Sequence, residues 1–224
     1  DNIVVIPPGV DVHTFCPQKT DEKQIKTNLP DKYILCLSRI DTNKGHDLLL
    51  NAFKHVKDEV PDIQLVIAGG SAKPQTRELE VIATMNNIIT RKKMTDRVHI
   101  VGYVPDELLV PYYQQAKLFV LPSVFEPFGM TALEAMACST PVVASKFGGI
   151  RNVITSGENG LLVDAHNQGE FAEAMIRLLK DQSLAEKMGK DGYRTIIDSY
   201  SWEAIAERHL NFYNKYIKIC SVQA

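Results

Sequence analysis

The chain is poor in several things that would each have pointed to a class of protein. Its 224 residues include one tryptophan and four cysteines, and the formal net charge is only −2. So small a charge leaves no basic footprint of the kind a nucleic-acid backbone demands, and nucleic acid is not an expected partner. No apolar run approaches the roughly 20 residues a spanning helix needs, and no basic segment leads into an apolar one at the start, so a cytosolic location and no membrane span are expected. Cys16, Cys36, Cys138 and Cys220 show no C-x-x-C spacing, and Cys36 and Cys138 lie in apolar runs that suit buried free thiols. Neither disulfide nor zinc is expected. The six histidines (His13, His46, His55, His99, His166, His209) lack H-E-x-x-H or other ligand spacing, so no metal role is assigned to them.

What is present is a full core's worth of apolar residues, 45% of the chain against 23% charged, enough for one large α/β domain. Short β-rich runs stand at Tyr33–Leu37, Ile63–Ala68, Val98–Val101, Leu118–Leu121, Val142–Ala144 and Leu161–Val163. Helical periodicity fills the gaps. Gly45–Val60 sets Leu48, Leu49, Ala52, Phe53 and Val56 on one face, and Gln168–Lys180 does the same with Phe171, Ala174, Met175, Leu178 and Leu179. Strand, helix, strand in succession implies right-handed crossovers and a doubly wound parallel sheet with helices on both faces, and the unbroken apolar strands fit a sheet covered twice.

At the ends, Ile3 to Asp11 reads as an opening strand running into a turn, and Pro17 to Asp31 as a linker, so that 1–31 precedes a domain at 32–200. Leu184–Tyr200 and Trp202–Ile219 read as two helices with Ser201 as an N-cap between them. The second carries Trp202, Ile205, Leu210, Phe212, Tyr213, Tyr216 and Ile217, more apolar surface than one stripe needs. Core burial is the first expectation for it; docking of part of 201–224 on a partner domain outside this chain is the other.

Two loops carry the chemistry. Glu126-Pro-Phe-Gly-Met-Thr-Ala-Leu-Glu134 follows an apolar strand and opens a helix that should bury Leu133 and Met136. Free N–H groups at a helix start, a small Gly129 and the Thr131 hydroxyl suit phosphate oxygens, so carboxylates beside them should meet other groups of the same ligand, sugar hydroxyls being the natural choice. The plainer reading makes Glu126 a helix-start acid favoured by the dipole and Glu134 a solvated helix residue. The second loop, Ser38-Arg-Ile-Asp-Thr-Asn-Lys-Gly45, leaves another strand and places Arg39 and Lys44 where two cations can neutralise a diphosphate. Solvated loop charges are the plainer reading here. Both loops belong to the carboxyl edge of the sheet, where open parallel sheets bind ligands.

With those residues in view, the chain resembles the C-terminal, donor-binding half of retaining GT-B glycosyltransferases of the large family that includes sucrose-phosphate synthase. The resemblance rests on two glutamates separated by seven residues, Glu126 and Glu134, and on Ser38-Arg39 through Lys44-Gly45. It is carried further by Ile6-Pro-Pro-Gly-Val-Asp11, Val101-Gly-Tyr-Val104, Glu134-Ala-Met-Ala137, Thr140-Pro-Val-Val-Ala-Ser145, Gly148-Gly149 and Asn159-Gly-Leu-Leu-Val-Asp164. Sucrose-phosphate and mannosylfructose-phosphate synthases look nearest among its subgroups.

The resemblance implies a Rossmann-like fold and a nucleotide-sugar donor, UDP-glucose or else GDP-mannose, with no metal cofactor. It implies that Arg39 and Lys44 hold the diphosphate, Glu126 the transferred hexose, and Phe128, Gly129, Met130 and Thr131 sugar and phosphate oxygens. Glu134 would take the ribose, and the turn at Gly102-Tyr103-Val104 would lie against the base. An acceptor sugar or sugar phosphate would be bound mainly by a missing N-terminal half, leaving the chain alone inactive. Two departures stand out: Ser139 replaces the glycine that commonly ends the helix after Glu-Ala-Met-Ala, and Asn152 replaces a common glutamate. The rival readings are an epimerase or hydrolase on the same fold, lacking an evident acid/base pair, and a non-catalytic α/β module. The NAD-binding form of that module lacks its G-x-G-x-x-G after the first strand.

Overall fold

The computed structural model describes residues 3–18 and 27–222, with the side chains of Tyr216 and of residues 218–222 left aside. Six strands, β1 (Tyr33–Leu37), β2 (Gln64–Ala68), β3 (Val98–Gly102), β4 (Leu118–Leu121), β5 (Val142–Ser145) and β6 (Leu161–Val163), form one sheet in the order β3-β2-β1-β4-β5-β6. Every pairing is parallel. The helices between them are α1 (His46–Glu59), α2 (Thr76–Arg91), α3 (Asp106–Gln115), α4 (Met130–Ala137) and α5 (Gln168–Lys180), followed by α6 (Gln182–Ser199) and α7 (Trp202–Val222).

Strand pleating divides the core. Ile34 and Cys36 of β1 join Leu65, Ile67, Leu118 and Val120 under α1, α2 and α5, whereas Tyr33, Leu35 and Leu37 turn to the opposite face with Val66, Phe119, Leu121 and the buried side of α4. Leu133 and Met136 are fully buried there. Both faces of the sheet are therefore covered, which is why its strands read as continuous apolar runs.

Two expectations need correction. Residues 3–9 form no strand; only Val10 bridges, to Ser201. Its N–H donates to Tyr200 O and its carbonyl accepts from Trp202 N, so the opening segment is pinned at the α6–α7 junction and not in the sheet. Pro7 and Pro8 offer no N–H to a neighbouring strand. Of the expected linker, residues 19–26 lie outside those described. The second correction concerns α7. Ser201 does cap it, accepting from Ala204 N at 3.2 Å, but among the described large apolar side chains of α7 only Ile205 is buried, while Trp202, Leu210, Tyr213 and Ile217 are more than half exposed.

Candidate functional site

The sheet order reverses between β1 and β4, the switch point at which doubly wound folds open a crevice beyond the carboxyl ends of the strands. The loop after β1 and the loop after β4 meet there. Gly45 lies so close to the second loop that a Cβ on it would stand 2.1 Å from Pro122 O, and its φ of 67° is itself a left-handed conformation. Val124 N donates to Asn43 O at 3.0 Å, a second link between the loops.

The third link is the chemistry itself. Lys44 Nζ donates to Glu126 Oε2 at 2.8 Å, with 11% of each side chain exposed. The same oxygen accepts from Ser123 Oγ at 3.0 Å, a hydroxyl that is fully buried. Glu126 is fixed through its backbone as well, its N–H donating to Phe147 O and its carbonyl accepting from Gly149 N at 2.7 Å. Gly148 permits that contact. Its φ is 108°, and a Cβ there would lie 2.0 Å from Glu126 O. The Gly148-Gly149 pair thus holds the carboxylate in place by close backbone approach.

Gly129, at φ 92°, precedes α4 and caps it without a side chain. The N–H groups of Met130 and Thr131 find no acceptor among the described residues, so the positive end of the helix is open for an anion. One turn further, Glu134 turns toward α3, where Tyr113 Oη donates to Glu134 Oε2 at 2.7 Å. Tyr113 is itself locked between Phe15 and Phe119. Burial raises the Glu134 carboxyl above its ordinary pKa, and the Tyr113 hydroxyl opposes that shift.

Arg39, in the same loop as Lys44, is exposed, and its guanidinium meets no partner among the described residues. Val104 is buried just after the turn that Gly102, at φ 72°, makes at the end of β3; Tyr103 beside it is half exposed. Phe128 and Met130 are half-buried against the α4 side of the core. The structure therefore joins Lys44 and Glu126 directly, places Glu134 one helical turn from the same N-terminus, and leaves Arg39 on the rim of the same edge. It does not bring Glu134 into contact with the other three. Asn152 is exposed in the one-turn helix after β5, its carbonyl accepting from Tyr200 Oη.

Sequence reasoning missed Ser123 and Tyr113. A serine three residues before a glutamate and a tyrosine 21 before another carry no recognisable spacing. It also paired Lys44 and Glu126 with different parts of a ligand, where the structure shows them bound to each other.

Residues 17–195 match the sequence pattern of the family described as "Glycosyl transferases group 1". Mannosylfructose-phosphate synthase of Agrobacterium fabrum is 32% identical over 212 residues, 93% of this chain and 47% of that protein. A D-inositol 3-phosphate glycosyltransferase of Xylanimonas cellulosilytica is 34% identical over 223 residues, 95% of the chain and 51% of the relative. Among solved structures, sucrose-phosphate synthase from Thermosynechococcus elongatus superposes with a TM-score of 0.82 at 34% identity, covering 96% of this chain and 52% of that one. The chain spans about half the length of these relatives. On this match, and with a doubly wound parallel sheet of the expected kind beneath it, the chain belongs to the group 1 glycosyl transferases.

Proposed function

We propose that this chain is the donor-binding half of a retaining glycosyltransferase that moves a hexose from a nucleoside-diphosphate sugar to a hydroxyl of a sugar or sugar phosphate. The observation that carries the reading is the Lys44–Glu126 pair beside the open N-terminus of α4, a cation, an anion and free N–H donors at one switch point. Arg39 and Lys44 neutralise the diphosphate and take up the charge that develops on the leaving nucleotide, a stabilisation that grows toward the transition state. That role needs no divalent ion. The Met130 and Thr131 N–H groups meet phosphate or sugar oxygens, Glu126 the hexose hydroxyls and Glu134 the ribose, with the base against Gly102-Tyr103-Val104.

Departure and attack on the same face of the sugar, assisted by the diphosphate, is the route expected of retaining members of this family. UDP-glucose is the first donor to test and GDP-mannose the second. All three relatives are named for phosphorylated sugars or inositol, which supports a phosphorylated acceptor here. The acceptor is held by the other half of the protein, and the exposed stripe of Trp202, Leu210, Tyr213 and Ile217, within about 80° of one helix face, is where that half docks on α7. No helix among the described residues is long and apolar enough to cross a membrane, and a cytosolic enzyme is part of the same reading.

Calorimetry of the folded chain with UDP-glucose, GDP-mannose and ADP-glucose tests the proposal. Binding of one of them, weakened by Arg39→Ala and by Glu134→Ala, is the expected result. A folded chain that takes up none of the three overturns it.

A further inference from the structure

The Arg39 side chain is exposed and meets no partner among the described residues, so what aims it among them acts through its backbone. Ser38 lies between it and β1, where Ser38 N still donates to Ala68 O at 3.1 Å. The Ser38 hydroxyl donates to Arg39 O at 2.9 Å. The same Oγ is in hydrogen-bond contact with His46 Nε2 at 3.1 Å, so hydroxyl, ring and carbonyl lie in one chain of contacts. The other ring nitrogen, Nδ1, is buried on the side of the Asp41 backbone.

The ring is 2% exposed. Burial pushes its pKa down to about 4 and the nearby Lys44 charge lowers it further, while Asp47 and Asp41 act in the opposite sense. It is neutral throughout the physiological range. His46 is also the first residue of α1, directly after the Gly45 that is pressed against Pro122 O. The relay from ring to hydroxyl to carbonyl therefore closes the loop of Arg39 to Lys44 at its base, tying the start of the loop to the helix that ends it.

We propose that His46 is a positioning residue for Arg39, fixing the Arg39 peptide through Ser38 so that the guanidinium is presented to the donor diphosphate. This rests on the reading of Arg39 as a diphosphate ligand. Ordering a flexible arginine before the ligand arrives lowers the cost of binding it, which is the gain that preorganised sites make.

The test is titration of the folded chain with UDP, with GDP and ADP alongside, using whichever the wild type binds. Losing one net hydrogen bond at the relay should weaken the affinity by about fivefold to tenfold in His46→Leu and in Ser38→Ala, with no further loss in the combination. His46→Gln, whose amide nitrogen can stand in for Nε2, should restore affinity to within about twofold of wild type. In an Arg39→Ala background, His46→Leu should have no additional effect, because the group it positions is gone.

A residue that merely fills the core would lower the melting temperature in both backgrounds and leave the two affinity losses multiplicative. That outcome, or wild-type affinity in His46→Leu, overturns the proposal. Should His46→Leu fail to fold, Ser38→Ala decides alone, since it leaves the ring in place; unchanged affinity there also overturns it. Absence of any nucleotide binding by wild type removes the donor-site reading itself, a failure distinct from these.

Discussion

Replacing Lys44 by methionine strands the Glu126 carboxylate with the Ser123 hydroxyl as its sole remaining side-chain donor among the described residues. With 11% of each side chain exposed, the two groups have lost most of their hydration, and removing one partner leaves the other as a largely buried, uncompensated charge. Such a loss costs about 3–5 kcal/mol in a dry interior, and the lower end applies at the rim of a sheet. For a domain of this size each kcal/mol moves the midpoint by about 2–4 °C, so Lys44→Met should melt roughly 6–12 °C below wild type. The double variant Lys44→Met with Glu126→Leu removes both charges and should recover to within about 1 kcal/mol of wild type, because pairing inside a protein roughly offsets the desolvation it requires. Thermal unfolding followed by circular dichroism gives the first value and urea unfolding the second. The double variant should be stable yet unable to bind nucleotide sugar, separating folding from function. A Lys44→Met midpoint equal to wild type would refute the reasoning, since it would mean that the two side chains are solvated separately.

Further outcomes follow from the same geometry. Ser139 is held at φ 62°, a left-handed conformation that suits glycine, so Ser139→Gly should raise stability by roughly 1 kcal/mol in urea denaturation. Gly148→Ala should cost about 3 kcal/mol or more, from a strained φ and a collision with the Glu126 backbone, and should abolish donor binding in any protein that still folds. Tyr113→Phe removes the donor that opposes the raised pKa of Glu134. A carboxyl whose folded pKa lies above its unfolded value lowers stability progressively as pH rises from the unfolded toward the folded value. The Tyr113→Phe deficit should therefore be small near pH 4 and reach about 1.5–3 kcal/mol at pH 8, as measured by denaturation at the two pH values.

The strands were legible because each is a short apolar run between polar breaks. β1, β4 and β6 stand where the pattern put them, and β2, β3 and β5 differ by one residue at one end. The helices α2 and α3 were implied by alternation alone, and α3 keeps a buried Pro111 in its interior that no helix signal would favour. The opening Ile3-Val-Val-Ile run carries strand propensity yet pairs with neither edge strand, β3 or β6, and Ile3 and Val5 are among the most exposed apolar residues described. α7 shows the matching limit: periodicity reveals an apolar stripe but not what covers it.

At the site, the residues were legible as types in loops, while their pairing was not. Lys44 and Glu126 are 82 residues apart, and only the sheet order that sets β1 beside β4 brings them together. Ser139 is the opposite case. Its awkward place at the end of α4 was legible from one position, and the backbone bears the strain expected of it.

The central claim is that the carboxyl edge at the β1–β4 switch point receives a nucleotide sugar. Titrating isotopically labelled chain with UDP-glucose, and with GDP-mannose in parallel, while following backbone amide resonances tests it most directly. The account predicts saturable shifts concentrated at residues 38–45, 102–104 and 126–134, largest at the free N–H groups of Met130 and Thr131. Saturable shifts centred on the opposite edge of the sheet, or none with any nucleotide sugar in a folded sample, would contradict it.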